Sequence, residues 1–257
     1  MNKRVAAGDP FLFCQSLARG KPTTDMVAAI MLGVSELAGS ELAGSELAGL
    51  IVAVSFAAGL NVYATVATLG LLAHARLLDL PSGLHLLGSW WVIAASVILF
   101  AIEFFADKVP AFDLVWNALH TFVRVPVAAL IAYGATSQLS PEKQLLAALA
   151  GGAIALLAHG GKTAARLAVT PSPEPVSNFA LSAGEDTLAI FLTWFASQHP
   201  IAAALIVAAL LAAILAVMRW VIRAVVRAMT RAMRNLFAGS ESEHELAASR
   251  RGDLNAA

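Results

Sequence analysis

The sequence predicts an all-α, polytopic transmembrane bundle of about six spans, and three observations carry that prediction. Of the residues, 59% are hydrophobic and 13% charged, against about 25% charged in soluble domains. The mean hydropathy is +0.75, and the apolar residues fall into runs near the roughly 20 residues that cross a bilayer. The few ionisable groups arrive as clusters inside or beside those runs, as in EFFADKVP at 103–110 and HGGKTAAR at 159–166. A single cysteine, Cys14, excludes an internal disulfide.

Residues 1–34 have a polar start, basic Arg19 and Lys21, and an apolar run from Met26 to Gly33 that is too short to span. Asp9 and Pro10 interrupt what Lys3 and Arg4 could have begun as a signal peptide. An interfacial helix or disordered lead-in is expected. The pentapeptide SELAG then repeats three times over 35–49. Its period is too short for a solenoid, and it scatters Glu36, Glu41 and Glu46 around a helix. Each glycine weakens a helix by about 1 kcal/mol. Residues 1–46 are therefore read as a tolerant N-terminal extension with no assigned function.

The transmembrane domain is placed at 47–218. Its first span runs from Leu47 to Ala73, where the small residues of AGLNVYATVATLG admit a close helix. Asn61, Thr65 and Thr68 are expected to hydrogen-bond across that contact, and helix packing is the role given to Asn61. Pro81 and Gly83 mark a loop or interfacial turn. The second span, Trp90–Ala106, is stopped at Lys108–Pro110. Residues 111–122 are too short to cross and too apolar for an ordinary loop, so a re-entrant or interfacial helix is expected there, ahead of a third span at 125–136.

Ser140, Pro141 and Glu142 start a further helix, and the fourth span (144–158) carries Gly151 and Gly152 as a close-packing point. The three prolines of TPSPEPVSN break the chain. Ser182 and Glu185 then fit a capping box for the fifth span. His199–Pro200 is a turn before the sixth, 201–218. Arg219, Arg223, Arg227, Arg231 and Arg234 share one stripe of a helix at 219–237, suited to an anionic membrane surface. Residues 238–257 are expected to be disordered.

Six spans place both termini on one side. That side would hold Lys3, Arg4, Arg19, Lys21, Lys108, Arg124, Lys162, Arg166 and the arginine stripe, leaving Arg76 and Lys143 opposite. The positive-inside rule then makes both termini cytoplasmic in a bacterial inner membrane.

Ionisable groups in hydrocarbon cost several kcal/mol unless they are paired or wet. Glu103 and Asp107 stand four residues apart and share a helix face. Lys108, Asp113, His120 and Arg124 follow them; His159, Lys162 and Arg166 form a second cluster, and Asn178, Glu185 and Asp186 a third. The three are expected to line a cytoplasmic-face cavity for an ion, an anionic solute or a lipid headgroup. Lys108, Arg124 and Lys162 are the cations expected to meet Glu103 and Asp107. Free N–H groups before Ser182 favour an anion, although Glu185 and Asp186 would compete with it.

The competing reading is a set of structural salt bridges pinning helix ends. No tight His/Asp/Glu ligand spacing, GxSxG element, phosphate loop or dinucleotide fingerprint occurs. Neither an enzyme, a cofactor nor a metal is expected. The two functional expectations are a small permease or carrier, and a non-catalytic scaffold whose arginine helix binds lipid or a partner. Anionic inner-leaflet lipid and a small solute or ion are the expected partners, with no nucleic acid.

GLNVYATVATLGLLAH at 59–74, EFFADKVPAFDLVWNALHTFVRVPVAALIA at 103–132, GGAIALLAHGGKTAARLA at 151–168 and SN…S..ED at 177–186 resemble a family of bacterial integral membrane proteins, domain of unknown function 4126. The resemblance covers residues 50–215, and E-F-x-A-D-K-x-P at 103–110 is its most distinctive part. The SELAG array and the arginine helix lie outside it. It implies a membrane-embedded helical fold and nothing about mechanism.

Overall fold

The computed structural model describes residues 42–106, 110–169 and 175–220, with 223, 227, 229 and 230. The lead-in, the first SELAG copy, Arg231, Arg234 and the C-terminal tail lie outside the described residues. Among those described, every regular element is a helix. The chain forms two compact units, residues 1–214 and 215–257.

The first unit is built around α1, Leu42–Leu60. Every residue from Ile51 to Asn61 is buried, which is how a helix that is apolar all round must sit. It packs against α4 (Pro110–Ala135), α5 (Pro141–Val169) and α6 (Pro175–Gln198). The last SELAG copy belongs to this helix, with Ala48 and Gly49 buried. Its last two residues are core structure, which its likeness to a slippage repeat conceals.

Close approach makes the centre possible. A Cβ on Gly59 would stand 2.5 Å from the Ala155 carbonyl oxygen, and one on Gly151 would stand 2.7 Å from the Ala132 Cβ. Only glycine lets α1 and α4 lie this near α5, the small-residue contact typical of membrane helices. The expected packing point is therefore Gly151, since Gly152 meets neighbours only at 3.5 Å and beyond.

The span expected at 47–73 is not continuous. Asn61 adopts an extended conformation (φ −149°, ψ 104°) and caps a second helix, α2, Val62–His74. Arg76 closes α2 in the left-handed region, φ 57°. A 3-10 helix, Ser82–Gly88, then meets α3, Trp90–Ala106, at a bend of 64°. α3 packs on α2 with a narrow face of Ile93, Ser96 and Glu103, while Trp91, Ile98, Ile102 and Phe105 point outward.

Residues 111–122 and 125–136, expected as separate elements, are one helix, α4, with Pro126 inside it. A proline withdraws one backbone donor, a loss that neighbouring helices absorb in a packed bundle. α5 begins at Pro141 with Glu142 in its first turn, as the sequence signals. α7, Pro200–Trp220, follows the break at His199. In the second unit Arg223 and Arg227 are helical and exposed, and Arg227 Nε donates to the Arg223 carbonyl at 3.0 Å.

The distribution of polarity is inverted relative to a soluble protein. Trp91 is 86% exposed and Phe122 81%, whereas Glu103 and Arg124 are 0% exposed. Exposed large apolar side chains over buried charge are compatible with an integral membrane protein. Pro141–Ala165 and Pro200–Trp220 are long and apolar enough to cross a membrane, and the bent pair Ser82–Gly88 and Trp90–Ala106 makes a third if it is one broken span. Gly44–Leu60, Val62–His74 and Leu119–Ala135 are apolar but shorter. Among the described residues, length and composition thus identify two or three spans, where the sequence reading expects about six.

Candidate functional site

The site begins with the break at Asn61. In an unbroken helix the Ala64 amide would bond to the Leu60 carbonyl four residues back. Here the Asn61 side-chain oxygen accepts from the Ala64 amide at 2.9 Å, the usual geometry of an N-cap. The Leu60 carbonyl is taken instead by a side chain from another helix, Lys162 of α5, whose Nζ donates to it at 3.1 Å. Backbone groups in a membrane interior must all be accounted for, and Asn61 with Lys162 accounts for these two.

Both substitutes suit the local field. A helix C-terminus carries partial negative charge and an N-terminus partial positive charge. The Lys162 ammonium lies on the C-terminal carbonyl of α1. At the N-cap of α2 stands a carboxylate, Asp186 of α6, whose Oδ1 accepts from Asn61 Nδ2 at 2.8 Å. Lys162 Nζ also lies 3.2 Å from Glu185 Oε2. Thr65 and Thr68, expected to bond across the helix contact, bond back to the Asn61 and Ala64 carbonyls instead; Asn61 makes the crossing.

A second cluster joins α3, α4 and α5. The Arg124 Nη2 donates to Glu103 Oε1 in a fully buried ion pair. Arg124 Nη1 lies 2.7 Å from His159 Nδ1. A guanidinium has no acceptor, so His159 Nδ1 must offer its lone pair and the ring must be neutral. Its proton then sits on Nε2, which donates to Thr121 Oγ1 at 2.8 Å. Beside this chain the Tyr63 hydroxyl of α2 lies 3.2 Å from His120 Nε2, and the two rings meet edge to face. His159 and Lys162, three residues apart on α5, bring the two clusters to one helix face.

Of the residues singled out from the sequence, the fold brings together Asn61, Glu103, His120, Arg124, His159, Lys162, Glu185 and Asp186, all of them buried. Asp107 and Lys108 lie outside the described residues. Asp113, Arg166 and Asn178 are on helical backbone, and their side chains lie outside the description. Lys162 pairs with Glu185 rather than with Glu103. Arg124 is mid-helix rather than at a loop end, because its charge is met by Glu103 inside the bundle.

The capping box expected at Ser182 and Glu185 is absent. α6 starts at Pro175, so Ser182 and Glu185 lie in its interior, where they pack inward with Asp186. The anion-binding helix start proposed there falls with it. The described members of the three clusters are packed side by side, with Glu103 Oε2, Arg124 Nε and Asp186 Oδ2 buried and without a hydrogen-bond partner. An apolar cleft lies elsewhere, bounded by Leu50, Val54, Leu69, Leu80 and Ile131. Tyr63, Thr121 and the Leu60 carbonyl were not foreseen. Thr121 directly follows His120 and Tyr63 lies two residues after Asn61, so each is close in sequence to a residue that was foreseen. Among the described residues no group of three or more His, Cys, Asp or Glu side chains could hold a metal ion.

Residues 48–236, well over half of the chain, match the model of a family described as a domain of unknown function, DUF4126. The chain belongs to the DUF4126 family. The match takes in both buried clusters and the helix break of this DUF4126 domain. No curated protein and no solved structure is detectably similar to the chain.

Proposed function

We propose that this DUF4126 protein is a small, non-catalytic carrier of the bacterial cytoplasmic membrane, with an occluded solute or ion site built on the Asn61 break. The observation that carries the reading is the pair of charged side chains serving two half-helices, Lys162 on the Leu60 carbonyl and Asp186 on the Asn61 cap. An uninterrupted helix would need neither charge. Discontinuous helices with charges at their inner ends are how many secondary transporters build a site near the membrane midplane. The closed packing of the clusters corresponds to an occluded state. The charge asymmetry of the sequence supports a multi-pass topology with both termini cytoplasmic, and the arginine stripe supports contact with anionic lipid.

The second reading is a scaffold, supported by the way Glu103 pairs with Arg124 and Glu185 with Lys162. Neutral substitutions at Glu103, Lys162 and Asp186 in protein reconstituted into vesicles separate the two. A carrier loses solute flux or solute-dependent thermal stabilisation while each variant still inserts. If the variants lose only thermal stability or partner capture, and no solute from a broad screen stabilises the parent protein, the scaffold reading replaces it.

A further inference from the structure

The contacts along α1 and α2 fix the direction in which each helix runs. On α1, Ser55 lies against Gly151, Gly59 against Ala155 and Ala158, and the Leu60 carbonyl against Lys162. The residue numbers rise together, so α1 runs parallel to α5. α4 runs the other way, since Ala132 lies against Gly151 while Arg124 and Thr121 meet His159. On α2, Tyr63 meets His120, and Leu69 shares the apolar cleft with Ile131 and Ala135. α2 is therefore parallel to α4 and runs back against α1. The cleft shows the same reversal directly, because Leu50 and Val54 of α1 line it together with Leu69 of α2. In one continuous helix Val54 and Leu69 would stand about 22 Å apart.

We infer that α1 and α2 form a re-entrant hairpin, entering and leaving the membrane on the side of the His199–Pro200 break, with Asn61 as its buried tip. Gly49 packs on Pro200, and the eleven residues from there to Leu60 make about 17 Å of helix. α2 returns over 13 residues, about 20 Å. The hydrocarbon core is about 30 Å thick, so the tip ends inside it. Irregular backbone at that depth needs a protein cover, and Leu60, Asn61 and Val62 are all buried. Arg76 and Lys143 lie on the entry side, whereas Lys162 and Arg166 lie toward the end of α5 at Val169. The positive-inside rule then makes the entry side the outer one. The hairpin goes beyond the carrier reading and does not depend on it; in a carrier it is the barrier that closes the break to the outer face. Six spans would set Glu46 and Arg76 on opposite sides, and the hairpin sets them on one. A cytoplasmic N-terminus then requires one further crossing ahead of Leu42.

The test uses the full-length protein with Cys14→Ser and cysteines placed at exposed positions. In right-side-out vesicles a membrane-impermeant maleimide should label Glu46→Cys, Arg76→Cys and Lys143→Cys. It should label Ser172→Cys, between the described ends of α5 and α6, only after permeabilisation. If Arg76→Cys reacts from outside and Glu46→Cys only after permeabilisation, the hairpin is overturned. If the first three all react only after permeabilisation, the outer assignment is overturned. A second measurement, in detergent, does not depend on sidedness. Spin labels on Glu46→Cys and Arg76→Cys in one molecule would stand roughly 45 Å apart along a continuous helix, and on the hairpin they should stand at less than two thirds of that. A distance near the continuous value overturns the inference whatever the labelling shows. Same-side labelling with the short distance, and no flux of any screened solute, keeps the hairpin and removes the carrier.

Discussion

The Lys162 ammonium stands on the Leu60 carbonyl, 3.1 Å away, where the amide of Ala64 would stand in an unbroken helix. The two residues are far apart in sequence and belong to helices that cross at Gly59, where α1 and α5 nearly touch. The crossing brings Lys162 within reach of the break, and the break gives the ammonium a carbonyl to bind. The contact supports both, since a buried bare carbonyl is costly and the carbonyl gives an ammonium already beside Glu185 a further acceptor.

Asn61→Ala should destabilise the protein by about 2–4 kcal/mol. Loss of an N-cap costs about 1 kcal/mol, and removing a donor from the buried Asp186 carboxylate adds about 1–3. Equilibrium unfolding in detergent measures it. Because Asn61 and Asp186 share one hydrogen bond, Asn61→Ala combined with Asp186→Asn should cost less than the sum of the single changes. Strict additivity would show that the bond contributes nothing.

Lys162→Met should cost about 3–5 kcal/mol, the usual result of removing one partner from a buried ion pair. It removes the cation beside Glu185 and the donor on the Leu60 carbonyl together. Adding Glu185→Gln should recover a large part of the loss, leaving the carbonyl as the residual defect. If Lys162→Met unfolds at the same denaturant concentration as the parent protein, the ammonium is not holding the break.

What could be read from the sequence follows from how far each signal reaches along the chain. The helical class, the Pro141 start and the Gly151 contact rest on short-range composition, and these appear as expected. The break at Asn61 was hidden because one asparagine in an apolar run has no local signature; the side chain that takes the freed Leu60 carbonyl, Lys162, lies about a hundred residues later. The Ser182–Glu185 spacing imitates a capping box, but Pro175 had already started the helix, and burial against α1 and α2 turned those side chains inward. Arg124 looked like a span end because an arginine in hydrocarbon is costly alone. Glu103, on a different helix, removes that cost. Charge clustering did identify the residues that meet, while their pairing depended on helix crossings that periodicity does not encode.

His159 should be neutral with its proton on Nε2 at neutral pH, since Arg124 can only donate to Nδ1. Solid-state nitrogen NMR of histidine-labelled protein distinguishes that tautomer from the alternative and from the cation. Thr121→Val should leave the tautomer unchanged while depriving Nε2–H of its acceptor, at about 1–3 kcal/mol. A doubly protonated His159 at neutral pH would be incompatible with the Arg124 contact.

Two glycines on the two helices that cross at the site should respond with opposite sign to the same substitution. At Gly59 an added Cβ meets the Ala155 carbonyl oxygen at 2.5 Å, the Ala158 Cβ at 2.7 Å and the Ala155 Cα at 2.8 Å. Two of these are backbone atoms, so relief requires the helices to separate rather than a side chain to rotate. Overpacking of this kind costs about 1–3 kcal/mol. It should also draw the Leu60 carbonyl away from Lys162 and weaken any solute binding in parallel. At Gly160 nothing lies within 4 Å of the new atom, and alanine gains about 0.5–1 kcal/mol over glycine inside a helix. Gly59→Ala should therefore melt below the parent protein and Gly160→Ala at or above it, in the same detergent and buffer. If Gly59→Ala proves as stable as Gly160→Ala, α1 and α5 do not cross at the distance described, and the placement of Lys162 on the break loses its support.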